Sequence, residues 1–367
     1  MPKPRLRAKL LLLLIALLIV PVLLLLAEVS IRLFGRHIDP LEVFVTSPQL
    51  RSDTQGETTA GLFEFDPQLV WRLKPNLRQF WWDYTPVSTN AAHLRLDHEV
   101  GPKRGRRIVC LGDSVTFGYR VPVVADRNQP TKFDPAAKPY PALLEVHLRE
   151  RFPQQEIEVL PLACPGYTSG QGLAWLRRDI DQLKPDVVTV CFGWNDVRAA
   201  GLPDRATMPQ GAQATARSFI VRSQLLLHIT DMAQRRNAPA LPPAPEPRSS
   251  QQEFVDNITA MAALCRERSI GFLVILPVYR DPNTPGDYPE GTGQSGDSAE
   301  GQRMAAYRTA LQAGTFEKLS IPQLTEAGWP GNADLFGERI HPNAAGHELM
   351  ASKLAELLIP IVGTISK

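Results

Sequence analysis

RRIVCLGDSVTFG, residues 106–118, opens on a short apolar run, Ile108-Val109-Cys110-Leu111, between basic residues and a glycine. A run of that length and β-favouring composition predicts a buried parallel strand. Gly112 lets the chain turn sharply where the strand ends. Ser114 then stands at the strand's carboxyl end, where open α/β sheets place their ligands. A helix starting there would offer the Ser114 N–H to an anion. Ser after Gly-Asp is also an ordinary turn and N-cap sequence. Two phosphate and acyl motifs are excluded: no Lys follows Gly118, as a P-loop requires, and Val115-Thr116 stands where GxSxG needs its second glycine.

Outward from this stretch, strands and helices alternate. Helices are predicted over 140–152, 171–183, 213–236, 251–268, 302–313 and 344–358. Strands are predicted over 157–162, 185–192 and 270–276. That alternation implies a parallel sheet covered by helices on both faces. Residues 199–212 read as loop, 238–250 (APALPPAPEPRSS) as a proline-rich flexible insertion, and 282–301 as a second one. The 213–236 stretch carries Phe219, Ile220, Leu225, Leu226, Leu227, Ile229 and Met232. It fits a lid, a membrane-lying segment or, more simply, a helix packed on the domain.

The amino-terminal third differs. Residues 1–9 carry Lys3, Arg5, Arg7 and Lys9, and Leu10 to Ala27 contains no charge. As a helix, that run is roughly 27 Å long, close to the bilayer core. It exceeds the apolar core of a cleaved signal peptide, and its exit, LLAEVS, is a poor cleavage site. A signal anchor over 10–27 is expected, with the basic residues 1–9 cytoplasmic and the rest outside the cytoplasm. Residues 28–105 hold Phe63, Phe65, Trp71, Phe80, Trp81, Trp82 and Tyr84, broken by prolines. They predict a small β-rich or irregular module whose aromatics pack on the main domain or bind sugar. A net charge of +2 leaves no nucleic-acid footprint. Cys110, Cys164, Cys191 and Cys265 match no zinc or CxxC spacing and read as buried thiols.

Three further segments lie where the alternation puts strand ends or helix starts. Gly166 follows the strand ending at Leu162, and Asn195, in Gly193-Trp194-Asn195-Asp196, follows the strand ending at Phe192. Each has a plain alternative, a turn glycine and a helix cap. His341, in Glu338-Arg339-Ile340-His341-Pro342-Asn343, precedes the last helix. A carboxylate three residues earlier can fix an imidazole's tautomer, leaving the other nitrogen to act as a base.

With Gly112-Asp113-Ser114, these segments resemble the SGNH/GDSL hydrolase superfamily over roughly residues 106–360. The resemblance implies a flavodoxin-like three-layer α/β/α sandwich that works without metal or cofactor. It implies Ser114 as nucleophile, His341 as base, and the Ser114 N–H, Gly166 and Asn195 as oxyanion donors. The family's aspartate three residues before the histidine is here Glu338, one methylene longer, and Asp334 is a substitute at the wrong spacing. The expected activity is ester hydrolysis at the cell envelope on a small-molecule, lipid or glycan ester, with the membrane reached through the N-terminal helix. An O-acyltransferase using the same residues and a non-catalytic binding module of the same fold stand beside it. Oligomeric state is left open.

Overall fold

A computed structural model of the protein describes residues 4–45, 61–82, 85–121, 134–200, 202–237, 246–278, 299–325, 331–337 and 340–364. Along the chain come α1 (Pro4–Phe34), α2 (Pro40–Phe44), and the strands β1 (Phe63–Asp66), β2 (Val70–Leu73), β3 (Phe80–Trp82) and β4 (Thr85–Val87). Next are β5 (Arg106–Gly112), α3 (Ser114–Phe117), α4 (Tyr140–Arg151), β6 (Ile157–Ala163), α5 (Ser169–Leu183), β7 (Val187–Cys191) and α6 (Trp194–Val197). Then follow β8 (Ala199–Ala200), α7 (Asp204–Thr207), α8 (Ala212–Ile220), α9 (Gln224–Arg236) and β9 (Glu246–Pro247). The chain closes with α10 (Gln251–Arg266), β10 (Gly271–Ile275), α11 (Ala299–Ala313), β11 (Glu317–Leu319), α12 (Pro322–Thr325) and α13 (Ala344–Thr364). Two compact units result. One holds residues 1–46 and 209–240; the other holds 47–208 and 241–367.

The larger unit is built on a five-stranded sheet in the order β11-β10-β7-β5-β6, with every adjacent pair parallel. Counted from β5 that order is 2-1-3-4-5, the flavodoxin-like arrangement, whose switch point lies between the first and third strands. These strands are short, β7 is mostly β-branched, and β5 and β7 are buried almost throughout because helices cover both faces. On one face, Tyr140, Leu144 and Leu148 of α4 and Met350, Leu354, Leu358 and Val362 of α13 pack on Ile108, Cys110, Val159 and Leu273. Burying one such leucine contributes about 1.5–3 kcal/mol. On the other face, Leu173, Leu176 and Ile180 of α5 and Phe254, Ile258 and Met261 of α10 are buried. All four cysteines are free and buried, the expected state.

Residues 61–82 and 85–105 carry two antiparallel strand pairs, β1–β2 and β3–β4, the small β-rich module expected there, and both fall within the larger unit. Trp71 and Trp82 are buried there, so these aromatics pack rather than face solvent. The loop expected over 199–212 contains β8 and α7, and the end of the proline-rich insertion contributes β9, which pairs antiparallel with β8. Residues 246–250 thus pack despite Pro247: Arg248 finds buried partners and Ser250 caps α10. Residues 238–245 and 279–298, and with them most of both insertions, lie outside the described residues. β11 was not expected; three residues with two charges, Glu317 and Lys318, carry no strand signature.

The smaller unit differs from the single helix expected over 213–236. The chain breaks at 221–223, and Ser223 caps α9 by accepting from the Leu226 N–H. Of the described helices, one segment, Leu17–Phe34 of α1, is long and apolar enough to cross a membrane, and none of it is buried.

Candidate active site

Sheet register brings the candidate residues together. Gly112 of β5 lies level with Ala163 of β6 on one side and Cys191 of β7 on the other. Neighbouring strands lie about 4.8 Å apart. The loops leaving them at 113, 164 and 192 therefore start side by side at the switch point. A Cβ on Gly112 would come within 2.0 Å of Thr116 Oγ1 and 2.8 Å of the Cys191 carbonyl oxygen, so only glycine fits this exit. Asp113 caps the short turn that follows, its Oδ1 accepting from the Val115 N–H at 2.9 Å. Ser114 is the first residue of that turn, where a backbone N–H has no intrahelical partner.

His341 Nε2 lies 2.7 Å from Ser114 Oγ. The imidazole's loop is held on both sides: the Gly337 N–H donates to the His341 carbonyl at 3.0 Å, and Phe336 and Pro342 form an antiparallel bridge. Asn343 then enters α13, its Oδ1 accepting from the Gly346 N–H. Tyr119 lays its ring against the imidazole, centroids 4.4 Å apart. Trp82 packs edge-on against Tyr119 and Phe117, and Phe63 against Trp82. Arg95 lies over the Phe117 ring and donates to the carbonyls of Phe117, Gly118 and Val121. The N-terminal hairpins thus buttress the loop that carries Ser114.

Gly166 adopts φ +83°, a conformation that strains any side chain, and a Cβ there would meet Trp71 Cζ2 at 3.3 Å. Its loop is tied from three directions. Trp71 Nε1 donates to the Pro165 carbonyl at 3.2 Å, the Tyr167 hydroxyl donates to the Trp71 carbonyl, and Arg248 Nη1 donates to the Gly166 carbonyl. Arg248 is buried, and its guanidinium also reaches Gln171 Oε1 at 2.9 Å and both Asp204 oxygens at 2.9 and 3.2 Å. Asn195 Nδ2 donates to the Tyr167 carbonyl at 2.9 Å and to Asp113 Oδ2 at 3.3 Å. To serve an oxyanion the amide would turn one N–H away from these two acceptors, while the other bond holds it in place.

Burial raises the Asp113 carboxyl to about 6, against the Val115 N–H, the His341 charge and the Asn195 amide, which lower it. Asp196, next in the chain to Asn195, is fully buried and raised by that burial to about 7, although the Ser169 hydroxyl and N–H bond to its carboxylate. Neither aspartate was singled out in the sequence as a partner of the site. Glu338 lies outside the described residues. Asp334 is exposed, and its backbone carbonyl accepts from Asn343 Nδ2. His93 faces the Leu73 carbonyl, and His147, which had no expected carboxylate, pairs with Glu348 at 2.8 Å. His347 is buried, with Nδ1 accepting from the Tyr140 N–H. A cleft of about 490 Å³ lined by Lys103, Arg104, Arg106 and Arg149 opens at the opposite, amino ends of β5 and β6, away from Ser114.

A family model described as the GDSL-like Lipase/Acylhydrolase family matches residues 110–349. With that match covering well over half its length, the chain belongs to this family. A relative called arylesterase, from Vibrio mimicus, is 33% identical over 90 residues, 24% of this chain and 38% of that protein. The chain thus matches well under half the length of that relative. Among solved structures, it is similar to LAE5, an alpha/beta hydrolase enzyme from the metagenome of Lake Arreo, at 19% identity and TM-score 0.42, over 72% of this chain and 99% of that one. It is also similar to a lipase/acylhydrolase from Enterococcus faecalis, at 17% identity and TM-score 0.41, over 70% and 96%.

Proposed function

We propose that the protein is a serine esterase that hydrolyses acyl esters through a Ser114 acyl-enzyme. The observation that carries this reading is the 2.7 Å contact between His341 Nε2 and Ser114 Oγ at the carboxyl ends of the central strands. A hydroxyl so placed is activated by the neighbouring base. Ser114 Oγ bonds to the ester carbonyl carbon as its proton passes to His341 Nε2, and the carbonyl π pair moves onto oxygen. The Ser114 and Gly166 N–H groups and the Asn195 amide hold that oxyanion, with Asp113 keeping Asn195 oriented. The carbonyl re-forms, the C–O bond to the alcohol breaks, and His341 returns the proton to the leaving oxygen. Water attacks the acyl-serine by the same sequence, releasing the acid and restoring Ser114. Glu338 is assigned the orientation of His341, as the family's carboxylate does.

The anchor and the envelope setting belong to this proposal. The charge-free run in α1 is long enough to cross a bilayer, and Lys3, Arg5, Arg7 and Lys9 before it favour a cytoplasmic N-terminus. The catalytic unit then lies outside the cytoplasm, where glycan and lipid esters are its substrates. Ser114→Ala and His341→Ala are expected to lose at least ~10⁴-fold in kcat on p-nitrophenyl acetate. Parent-level hydrolysis by Ser114→Ala would overturn the assignment.

A further inference from the structure

The end of α1 is tied to α9. Glu28 accepts from the Ser223 hydroxyl at 2.7 Å and from the Gln224 and Leu225 N–H groups at 3.1 and 2.9 Å. These amides belong to the first turn of α9, which has no intrahelical acceptors for them. Arg32 bonds to Glu28 and donates to the Arg222 carbonyl at 2.8 Å. Gln224 is buried and pairs with the Ile38 backbone in both directions. Helix α9 is thus fixed to the segment where the apolar helix ends.

The face of α9 that carries Gln224 and Leu227 is buried; the opposite face is not. Leu226, Ile229 and Met232 recur at a three-residue spacing on that opposite face. They are 41%, 47% and 53% exposed, and Phe219 of α8 is 61% exposed. Arg222 lies over the Phe219 ring, and Arg235 and Arg236 close α9. An apolar stripe edged by arginines is the pattern of a helix lying in a bilayer's interfacial plane. Continuity with α1 selects the partner: Val29, Leu33 and Phe34, on the same turns as Glu28 and Arg32, are exposed apolar residues too.

We propose that the α8–α9 hairpin lies in the headgroup region of the bilayer that α1 crosses, so that the chain holds the membrane by a span and by an in-plane foot. This rests on reading α1 as an anchor. The foot would fix the height and tilt at which the chain leaves the membrane, and its arginines favour anionic lipid.

The test uses the full-length chain in vesicles of equal parts phosphatidylcholine and phosphatidylglycerol. The native cysteines are buried, so an environment-sensitive fluorophore can be placed singly on Leu18→Cys or Ile229→Cys. The proposal expects blue-shifted emission at 229, quenched by a nitroxide high on the lipid chain. At 18 it expects quenching by a nitroxide deep on the chain. Quenching at 18 with water-like emission at 229 overturns the foot and leaves the anchor. A blue shift at 229 without quenching by lipid nitroxide also overturns it, because a protein surface then covers the stripe. Absence of lipid quenching at 18 removes the anchor reading and this proposal with it.

Discussion

Gly166 is where a single methyl group reports most directly on the site. Its positive φ and the Trp71 ring 3.3 Å from any added Cβ leave alanine strained. If its N–H holds the oxyanion, Gly166→Ala should cost ~10²–10³-fold in kcat. Esterase rates beside thermal melts check this, and unchanged kcat in a folded variant would remove Gly166 from the oxyanion donors. Asp113→Asn makes a sharper case. Asparagine keeps the oxygen that caps Val115 but sets an amide NH2 against that of Asn195. We expect a Tm close to the parent's and a ~10²-fold lower rate; full activity would contradict the orienting role. Ser114, Gly166, Asn195 and His341 were legible because each stands at a strand end or helix start, where local pattern marks the position. Asp113 was legible only as part of a motif. Its partner Asn195 is 82 residues away, and no spacing rule signals such a pairing.

At the scale of elements, the sheet and its main helices could be read from periodicity, because fully buried strands and amphipathic helices leave that signature. The exceptions share a cause. The 213–236 stretch looks like one helix because its apolar residues continue through the break; what divides it is the Ser223 cap and the Glu28 carboxylate, a partner 195 residues distant. Residues 246–250 look like linker because proline suggests exposure, yet Arg248 sits buried and binds Asp204, Gln171 and the Gly166 carbonyl. Removing one member of a buried ion pair typically costs 3–5 kcal/mol. Arg248→Ala should therefore lose about 3–5 kcal/mol in urea unfolding and, by freeing the Gly166 carbonyl, lower kcat in whatever fraction stays folded. Lysine should not rescue it, since an ammonium cannot reproduce the fork that reaches three partners. Parent-like stability in Arg248→Lys would contradict that geometry.

On the scale of the whole molecule, the hairpins over 61–105 belong to the catalytic unit. Trp82 and Arg95 support the loop after Ser114, so a chain starting at residue 106 should fail to give a cooperative unfolding transition. A cooperative, active fragment would show the hairpins to be dispensable. Stability should also depend on pH in two opposing ways. Asp113 and Asp196 titrate in the fold at about 6 and about 7, above the usual 3.8. Their contribution favours the fold fully below about 3.8 and is lost as pH rises through about 6 to 7. Burial lowers His347 from 6.5 to about 3, so its contribution is present above 6.5 and is lost as pH falls towards about 3. Asp196→Asn should flatten the decline in urea midpoint between pH 4 and 7. A decline as steep as the parent's would contradict the burial account.

In the proposed mechanism Ser114 carries the acyl group. Rapid acid quench during p-nitrophenyl acetate turnover, followed by peptide mass spectrometry, tests it most directly. An acetyl adduct is expected on the peptide containing Ser114 and none in Ser114→Ala. Undiminished turnover by Ser114→Ala, with no adduct on that peptide in the parent, would contradict it.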